Sequence, residues 1–584
     1  MNYLFGENNS AIDTSDEGTT EGISKYNFFA GYGNKLNTDT PRAMGGVAIG
    51  LNNTIASSKA SNPDNAVGSI SHLYGSIAIG TGNTAGSGAS AGYAIGSNNS
   101  ASGGGAVAIG KNNTSSSTTA VSFGQGNTAS NTYTTSMGHS NTASNEYTTA
   151  VGQGNSATST YSSAFGCSNT ATGVHAIAIG STNDSTGGYS VCVGYNNDAT
   201  NTSAVAVGSS NKCQYSYGAV VGYSNTTNNS YGYALGYSNT VAGTGAVALG
   251  YSNSISSGDY TSAIGYSHSV TGANNFVGGY DHTVYGSNNV VLGASHLLGY
   301  STSYEAHYCT LLGRGHKYNS SNATTTTEGT GRPAYITVVG RFADFNKARA
   351  QNATSDAVPT PSNTAGSGGP YLFVVGNGTS TSNYSTAMVV GVSGNVAIKG
   401  SLYENSGDYA ECFEWSDGNP EWEDRRGRFV TFDHDETIRF ANEDDDYVLG
   451  IVSANPCIVG DSQYEDWKGR YKRDIYGQIQ YEDYEIPAEY NEETGEMISP
   501  ATIVPKPIDA EDYDPEKEYV PRLERSEWTI IGMLGKLVLD DDGTCEVNGY
   551  AKPGKDGIAT KGTRENGYRV VERIDENHIK VLFK

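Results

Sequence analysis

The chain has 584 residues, of which 16% are charged, with 76 glycines and a formal net charge of −25. That length calls for more than one domain, and the negative charge excludes an electrostatic footprint for nucleic acid. The start, Met1-Asn2-Tyr3-Leu4-Phe5-Gly6, does not read as a secretory signal, and no apolar run is long enough to span a membrane. The seven cysteines are scattered without a C-x-x-C pair, which fits reduced thiols better than a disulfide or metal framework.

Residues 1–43 read as irregular or degenerate repeats ahead of a regular array over 44–313. From Gly96 to Gly250 a glycine recurs every fourteen residues, and Gly265, Gly279 and Gly293 continue the register after one slip. Each unit is small-apolar-x-apolar-Gly, then x-x-Asn, then a polar turn. The apolar piece is too short for a helix and alternates with period two. Gly and Asn supply left-handed turn conformations. One strand and one turn per unit predict a rung of a parallel β-solenoid whose thin core is shared between stacked rungs. So thin a coil is expected to gain stability by association, threefold in our reading.

Ala106-Val107-Ala108-Ile109-Gly110-Lys111-Asn112-Asn113 and Ala246-Val247-Ala248-Leu249-Gly250-Tyr251-Ser252-Asn253 resemble the YadA-type head repeats of trimeric adhesins. The resemblance covers about 44–300 and implies a homotrimeric left-handed parallel β-roll with binding surfaces outside. It does not name the ligand.

The Asn of x-x-Asn recurs from Asn99 to Asn253 and reads as a hydrogen-bonded ladder. His268, His282, His296 and His316 then occupy the same slot. Such a stack either replaces Asn as a packed turn residue or offers an anion or metal site that titrates near neutral pH. Tyrosines follow several repeat glycines, as at Tyr195, Tyr223, Tyr237, Tyr251 and Tyr266. They suit either contacts with sugar or protein, or stacking between rungs. The repeats hold few carboxylates and no acid pair for glycoside cleavage, and no regular Thr-x-Thr ladder for binding ice.

After Gly313 the period is lost, and 314–400 read as a β-rich connector or neck. Its expected strands are Tyr335–Gly340, Tyr371–Gly376, Met388–Gly391 and Asn395–Ile398. Phe373-Val374-Val375-Gly376-Asn377-Gly378, followed by Ser393-Gly394-Asn395-Val396, resembles the β-rich linkers that precede C-terminal chaperone domains in phage tail fibres.

From 401 to 584 the composition turns acidic and aromatic, and short apolar runs predict a compact, mostly β domain. Pro487 to Pro521 reads as a polar excursion. Asp444-Asp445-Asp446 and Asp540-Asp541-Asp542-Gly543 lack the spacing of a calcium loop and read as solvated turns. No nucleotide loop, G-x-S-x-G or Cys/His triad spacing is present, and no cofactor is called for.

Asp408-Tyr409-Ala410-Glu411-x-Phe413-Glu414-Trp415, Leu449-Gly450-Ile451-Val452-Ser453, Trp528 with Gly532-Met533-Leu534-Gly535-Lys536, and Val547-Asn548-Gly549-Tyr550 carry a second resemblance. So does the ending Arg573-Ile574-Asp575-Glu576-Asn577-His578-Ile579. Together they are similar to the intramolecular-chaperone auto-processing domain of phage neck-appendage and tail-spike proteins, a glutamic-type self-cleaving family. The resemblance implies a trimeric assembly domain that cuts at Gly407–Asp408, with Asp408 and Glu411 as catalytic carboxylates. The family's pattern places Ser before the Asp; here Gly407 stands there and Ser406 one position earlier.

Two carboxylates with separated pKa values can divide nucleophile activation and leaving-group protonation. Three residues apart, they share a face of a helical turn but lie on opposite faces of a strand. In a strand, each would need a partner from elsewhere, such as a neighbouring subunit. The resemblance further implies a virion tail or appendage protein, made in the host cytoplasm, that binds a host-cell surface receptor, a glycan or a surface protein. A non-enzymatic trimeric adhesin with an inert C-terminal domain is the alternative.

Overall fold

The computed structural model describes residues 3–11, 27–38, 43–57, 73–86, 91–299, 301, 305–318, 335–343, 371–391, 395–403, 407–462, 469–490, 497–499 and 501–584. They form two units, Met1–Lys399 and Gly400–Lys584. The described residues are almost wholly β, with two short 3-10 turns at Arg522–Glu524 and Lys555–Gly557 and no α-helix. None of their helices is long and apolar enough to cross a membrane.

The first unit is the expected parallel solenoid. Each fourteen-residue turn contributes a strand of about five residues and a second of two, such as Val247–Tyr251 and Ser254–Ile255. The long strands stack in register, so that Gly208 pairs with Gly222 and Gly222 with Gly236. The reason for glycine at this column is steric. Gly208 has φ +117°, and a Cβ there would come within 2.0 Å of the carbonyl oxygen of Gly222. Only a residue without a side chain lets successive rungs approach this closely.

Alternation sorts the rest of the rung. In Val247-Ala248-Leu249, Ala248 faces inward and is fully buried, while Leu249 is exposed. The core over the middle rungs is mostly alanine, as at Ala143, Ala150, Ala157 and Ala164. Towards the C-terminal rungs it widens to Val241, Ile255, Val270, Val284 and Leu298.

The loss of period at Gly313 does not end the ladder. Thr337–Arg341 pairs in parallel with Thr310–Arg314, and Tyr371–Asn377 pairs in parallel with Thr337–Arg341, keeping Gly313, Gly340 and Gly376 in one column. Longer inserted segments hide this continuity from a count of residues. Thr386–Gly391 and Val396–Ile398 then add antiparallel strands. At the other end, Tyr3–Phe5 and Phe28–Tyr32 stack onto Val47–Leu51, so the degenerate N-terminal repeats carry rungs as well.

The second unit is built on a ten-stranded sheet. Five of its strands close a ring in the order Asp408–Trp415, Thr437–Phe440, Phe429–Phe432, Gly450–Val452 and Trp528–Asp540, with the last returning to the first. Trp415, Val430, Ile438, Leu449, Val452 and Ile531 form one apolar cluster. Phe429, Leu537, Leu539, Val581 and Phe583 belong to another. The polar excursion holds an antiparallel ribbon, Tyr481–Ile486 with Thr502–Pro507, that starts before Pro487.

The acidic runs are more than solvated turns. Asp445 takes a two-pronged bond from Arg439, Asp540 accepts from Arg428, and buried Asp541 accepts from Arg573 at 2.6 Å. For Asp541, pairing offsets the cost of holding the carboxylate out of water.

Candidate functional site

Asp408 opens the eight-residue strand Asp408–Trp415. The strand's inward positions are Asp408, Ala410 and Cys412, all buried; Tyr409 and Glu411 are half-buried on the other face. The antiparallel neighbour is Trp528–Asp540, with Asp408 opposite Gly535 and Tyr409 opposite Leu534. A bulge at Met533 then brings Ala410 opposite Gly532.

This pairing grips the peptide on both sides of Asp408. The carbonyl oxygen of Gly407 accepts the backbone N–H of Lys536 at 3.1 Å. The carbonyl of Asp408 accepts the backbone N–H of Cys457 at 2.8 Å and lies 2.9 Å from its Sγ.

The Asp408 side chain is 4% exposed, and its Oδ2 has no hydrogen-bond partner. Burial pushes its pKa up, while the Ser453 hydroxyl and the residue's own backbone N–H pull it partly back. It borders a cleft of about 380 Å³ whose lining includes Ser453, Asn455, Lys536 and His578. A carboxyl shifted towards its protonated form, close to a peptide nitrogen, has the character of a general acid.

Glu411 lies elsewhere. Its Oε1 accepts the Tyr409 hydroxyl at 2.5 Å, a bond that raises the Tyr409 pKa. It borders a second cleft of about 330 Å³ with Glu414, Asp435, Glu436, Asp461 and Trp528. Within one chain, strand geometry sends Asp408 and Glu411 to separate clefts. Ser406 lies outside the described residues.

Beside the second cleft sits a residue the sequence did not single out. Arg522 is 1% exposed, stacks 3.8 Å over the Trp528 ring and donates from Nη1 to Asp461 Oδ2 at 2.6 Å. Asp461 lies 61 residues away in the chain, so the pairing left no local signal.

The histidine stack is built as a continuation of the asparagine ladder. Asn253 Oδ1 accepts the backbone N–H of His268 at 3.1 Å. In turn the Nδ1 atoms of His268, His282 and His296 accept the N–H of the next histidine at 3.3, 3.1 and 3.1 Å. Each Nε2 donates to the carbonyl four residues back, as His282 does to Gly278 at 3.1 Å. Both ring nitrogens are thereby engaged, with Nδ1 standing in for Asn Oδ1 and Nε2 for Asn Nδ2. That leaves the four rings no lone pair for a metal. Among the described residues no group of three or more His, Cys, Asp or Glu is placed to hold one.

Of the tyrosines that follow repeat glycines, Tyr195 lies between Ser181 and Ser209, while the others stack. Tyr223, Tyr237, Tyr251, Tyr266 and Tyr280 form a continuous column with centroids 4.8–5.1 Å apart, while their edges stay exposed. A second column runs through Tyr133, Tyr147, Tyr161, His175 and Tyr189, all with positive φ.

Comparison with known proteins adds the following. Residues 359–579 match the family model described as Peptidase_G2, IMC autoproteolytic cleavage domain. Six stretches between 90 and 253 match the YadA head domain repeat. The pre-neck appendage protein of Bacillus phage phi29 is 31% identical over 176 residues, 28% of this chain and 18% of that protein. That of Bacillus phage B103 is 33% identical over 155 residues, 26% and 16% of the two chains. The putative phage-related protein YobO of Bacillus subtilis is 32% identical over 181 residues, 31% and 20% of the two. The shared stretch thus spans about a fifth or less of these relatives. Among solved structures, the pre-mature phi29 gene product 12 aligns at 13% identity and TM-score 0.41, covering 100% of this chain and 76% of that one. The C-terminal fragment of that gene product aligns at 26% identity and TM-score 0.24, covering 30% of this chain and 100% of that one. The chain thus joins an array that matches YadA head repeats to a C-terminal stretch that matches the IMC autoproteolytic cleavage domain and is similar to part of the phage pre-neck appendage proteins.

Proposed function

We propose that the chain is a homotrimeric phage appendage protein that binds a host-cell surface receptor through its solenoid. Its C-terminal unit directs assembly and then cuts the chain between Gly407 and Asp408. The observation that carries the cut is the Asp408 carboxyl, buried, raised in pKa and next to the nitrogen of that peptide. Water adds to the Gly407 carbonyl carbon, with Glu411 of another copy as the base that takes its proton. The Asp408 carboxyl protonates its own amide nitrogen as the bond breaks. The separation of Asp408 and Glu411 within one chain supports this division between copies, and makes cutting conditional on assembly.

The trimer reading rests on the outer face of the solenoid. Phe123, Met137, Phe165, Ile179, Leu249 and Ile264 occupy one register position before the repeat glycine, all exposed. A continuous apolar stripe of this kind is expected to be covered by other copies. The glycan or surface protein bound by the finished rod is assigned to the exposed tyrosine edges, where an amphipathic ring end meets solvent.

Mass spectrometry of the purified full-length chain tests the cut. Pieces 1–407 and 408–584 are expected, and Glu411→Ala should leave the chain whole while it still assembles. A wild-type chain that stays intact after trimer formation would leave a non-enzymatic adhesin with an inert C-terminal unit as the surviving reading.

A further inference from the structure

The segment Gly532-Met533-Leu534-Gly535-Lys536 contains two glycines three residues apart; Gly535 faces the Gly407–Asp408 peptide and Gly532 faces the Asp408 side chain. Gly535 has φ +131°, and a Cβ there would sit 2.1 Å from the Gly407 carbonyl oxygen and 2.9 Å from its carbon. A Cβ at Gly532 would sit 2.8 Å from Asp408 Oδ2 and 2.4 Å from a Leu537 methyl. One glycine makes room for the carbonyl and the other for the carboxyl. The bulge between them, at Met533, shifts the register so that Gly535 lies opposite Asp408 and Gly532 opposite Ala410.

We propose that Gly532–Lys536 is the catalytic cradle of the self-cleavage: the Lys536 backbone N–H is the donor that stabilises the oxyanion formed at Gly407, and Gly532 seats the Asp408 carboxyl that protonates the leaving nitrogen. This rests on the reading of the cut given above and assigns its electrophilic half. When water adds to the Gly407 carbon, the carbonyl π electrons move to oxygen, where the Lys536 N–H already lies at 3.1 Å. A donor fixed before reaction needs no reorganisation as the charge develops. The C–N bond electrons then leave with the Asp408 nitrogen, which takes the carboxyl proton. The products are a Gly407 carboxylate and an Asp408 amine. The donor belongs to the strand's ladder, so it is in place only once Trp528–Asp540 has docked beside Asp408.

The test is made on the full-length chain. Gly535→Ala, checked for folding by near-ultraviolet circular dichroism and protease resistance, should slow the first-order cut by about 100-fold or more, the usual consequence of losing one oxyanion donor. Gly532→Ala should also slow it by displacing the carboxyl. A folded Gly535→Ala chain cut within about threefold of wild type overturns the cradle, because the lost donor should cost far more. If neither variant folds, amide exchange at Lys536 in the wild-type chain before and after cutting decides. Departure of Gly407 removes the acceptor, so protection there should fall about tenfold or more, and unchanged protection overturns the proposal. A wild-type chain that is never cut is a different result: it removes the cleavage reading itself.

Discussion

His282 Nδ1 accepts the backbone N–H of His296 at 3.1 Å, and the two rings stack 4.9 Å apart at an interplanar angle of 8°. Two buried imidazoles in this arrangement are held neutral, because a proton on Nδ1 would face a donor. Burial first, and the neighbouring histidines second, lower the pKa of His282 to about 4 and of His296 to about 3, with the Gly278 carbonyl and then Asp281 pulling His282 back. His268 and His316 are also lowered by burial.

An acid-labile stretch follows from this. The unfolded histidines titrate near about 6.5 and the folded ones well below, so the unfolded chain binds more protons in between. Stability is full above the unfolded value and drains as pH falls through the interval towards about 4. The limiting slope is about 1.4 kcal/mol per pH unit for each histidine. Thermal melts at pH 7.5 and 4.5 should show the rungs around 268–316 weakening first. Replacing all four histidines by Asn should flatten that dependence, since Asn supplies both bonds without a titrating group. An equal acid sensitivity in the Asn version would transfer the effect to other groups.

Asn211→Ala should be costly in a way its size does not suggest. Asn211 Nδ2 donates within 3.0 Å of Val207 and 2.8 Å of Gly222 carbonyls, and Oδ1 accepts the Asn225 N–H at 3.0 Å. Removing a fully buried side chain with these partners leaves several groups unpaired, at about 1–3 kcal/mol each. Denaturant unfolding of the solenoid should move by more than a single surface Asn→Ala, such as Asn228→Ala, moves it.

Gly208→Ala is expected to be worse still. Its φ of +117° and the 2.0 Å approach to Gly222 oxygen leave no position for a methyl group. Backbone strain alone is worth about 1–3 kcal/mol, before the ladder is pushed apart. Loss of parallel pairing across this rung should be visible as fast amide exchange confined to its neighbours; uniform protection would contradict the steric account.

Cleavage should respond to pH through Asp408. Its folded pKa is raised by burial, so the protonated acid persists further up the pH scale than for an exposed Asp. The cutting rate of the assembled chain should therefore rise as pH falls from 8 towards that value. Asp408→Asn should leave the chain uncut and remove the dependence. Ser453→Ala, which deletes a group favouring the carboxylate, should extend the active range upward; a shift downward would contradict the assigned role.

The array was legible in the sequence because its signal is steric and recurrent. A glycine column at fourteen residues, with Asn three further on, admits few structures other than stacked rungs. The composition change near Ser401 marked the second unit, and the residues around Asp408 are those on which the proposed cut is read. Counting residues failed past Gly313, since insertions between rungs change the interval without changing the register. The second ladder, where Asn289 Nδ2 donates to Asn275 Oδ1 at 3.0 Å, was also hidden, although the His slot next to it was visible.

What the sequence determined by itself was the local chemistry: which residues tolerate left-handed backbone, which alternate inward, and which carboxylates follow the proposed scissile peptide. The tertiary structure alone decided what each of those groups meets. It used up both nitrogens of every histidine in the ladder, since a stacked ring must satisfy the backbone of the rungs around it. It sent Asp408 and Glu411 to different clefts because a strand alternates its faces. And it brought Gly535 and Lys536, more than a hundred residues away in the chain, against the Gly407 carbonyl, and Gly532 against the Asp408 carboxyl, through a pairing register that no local pattern encodes.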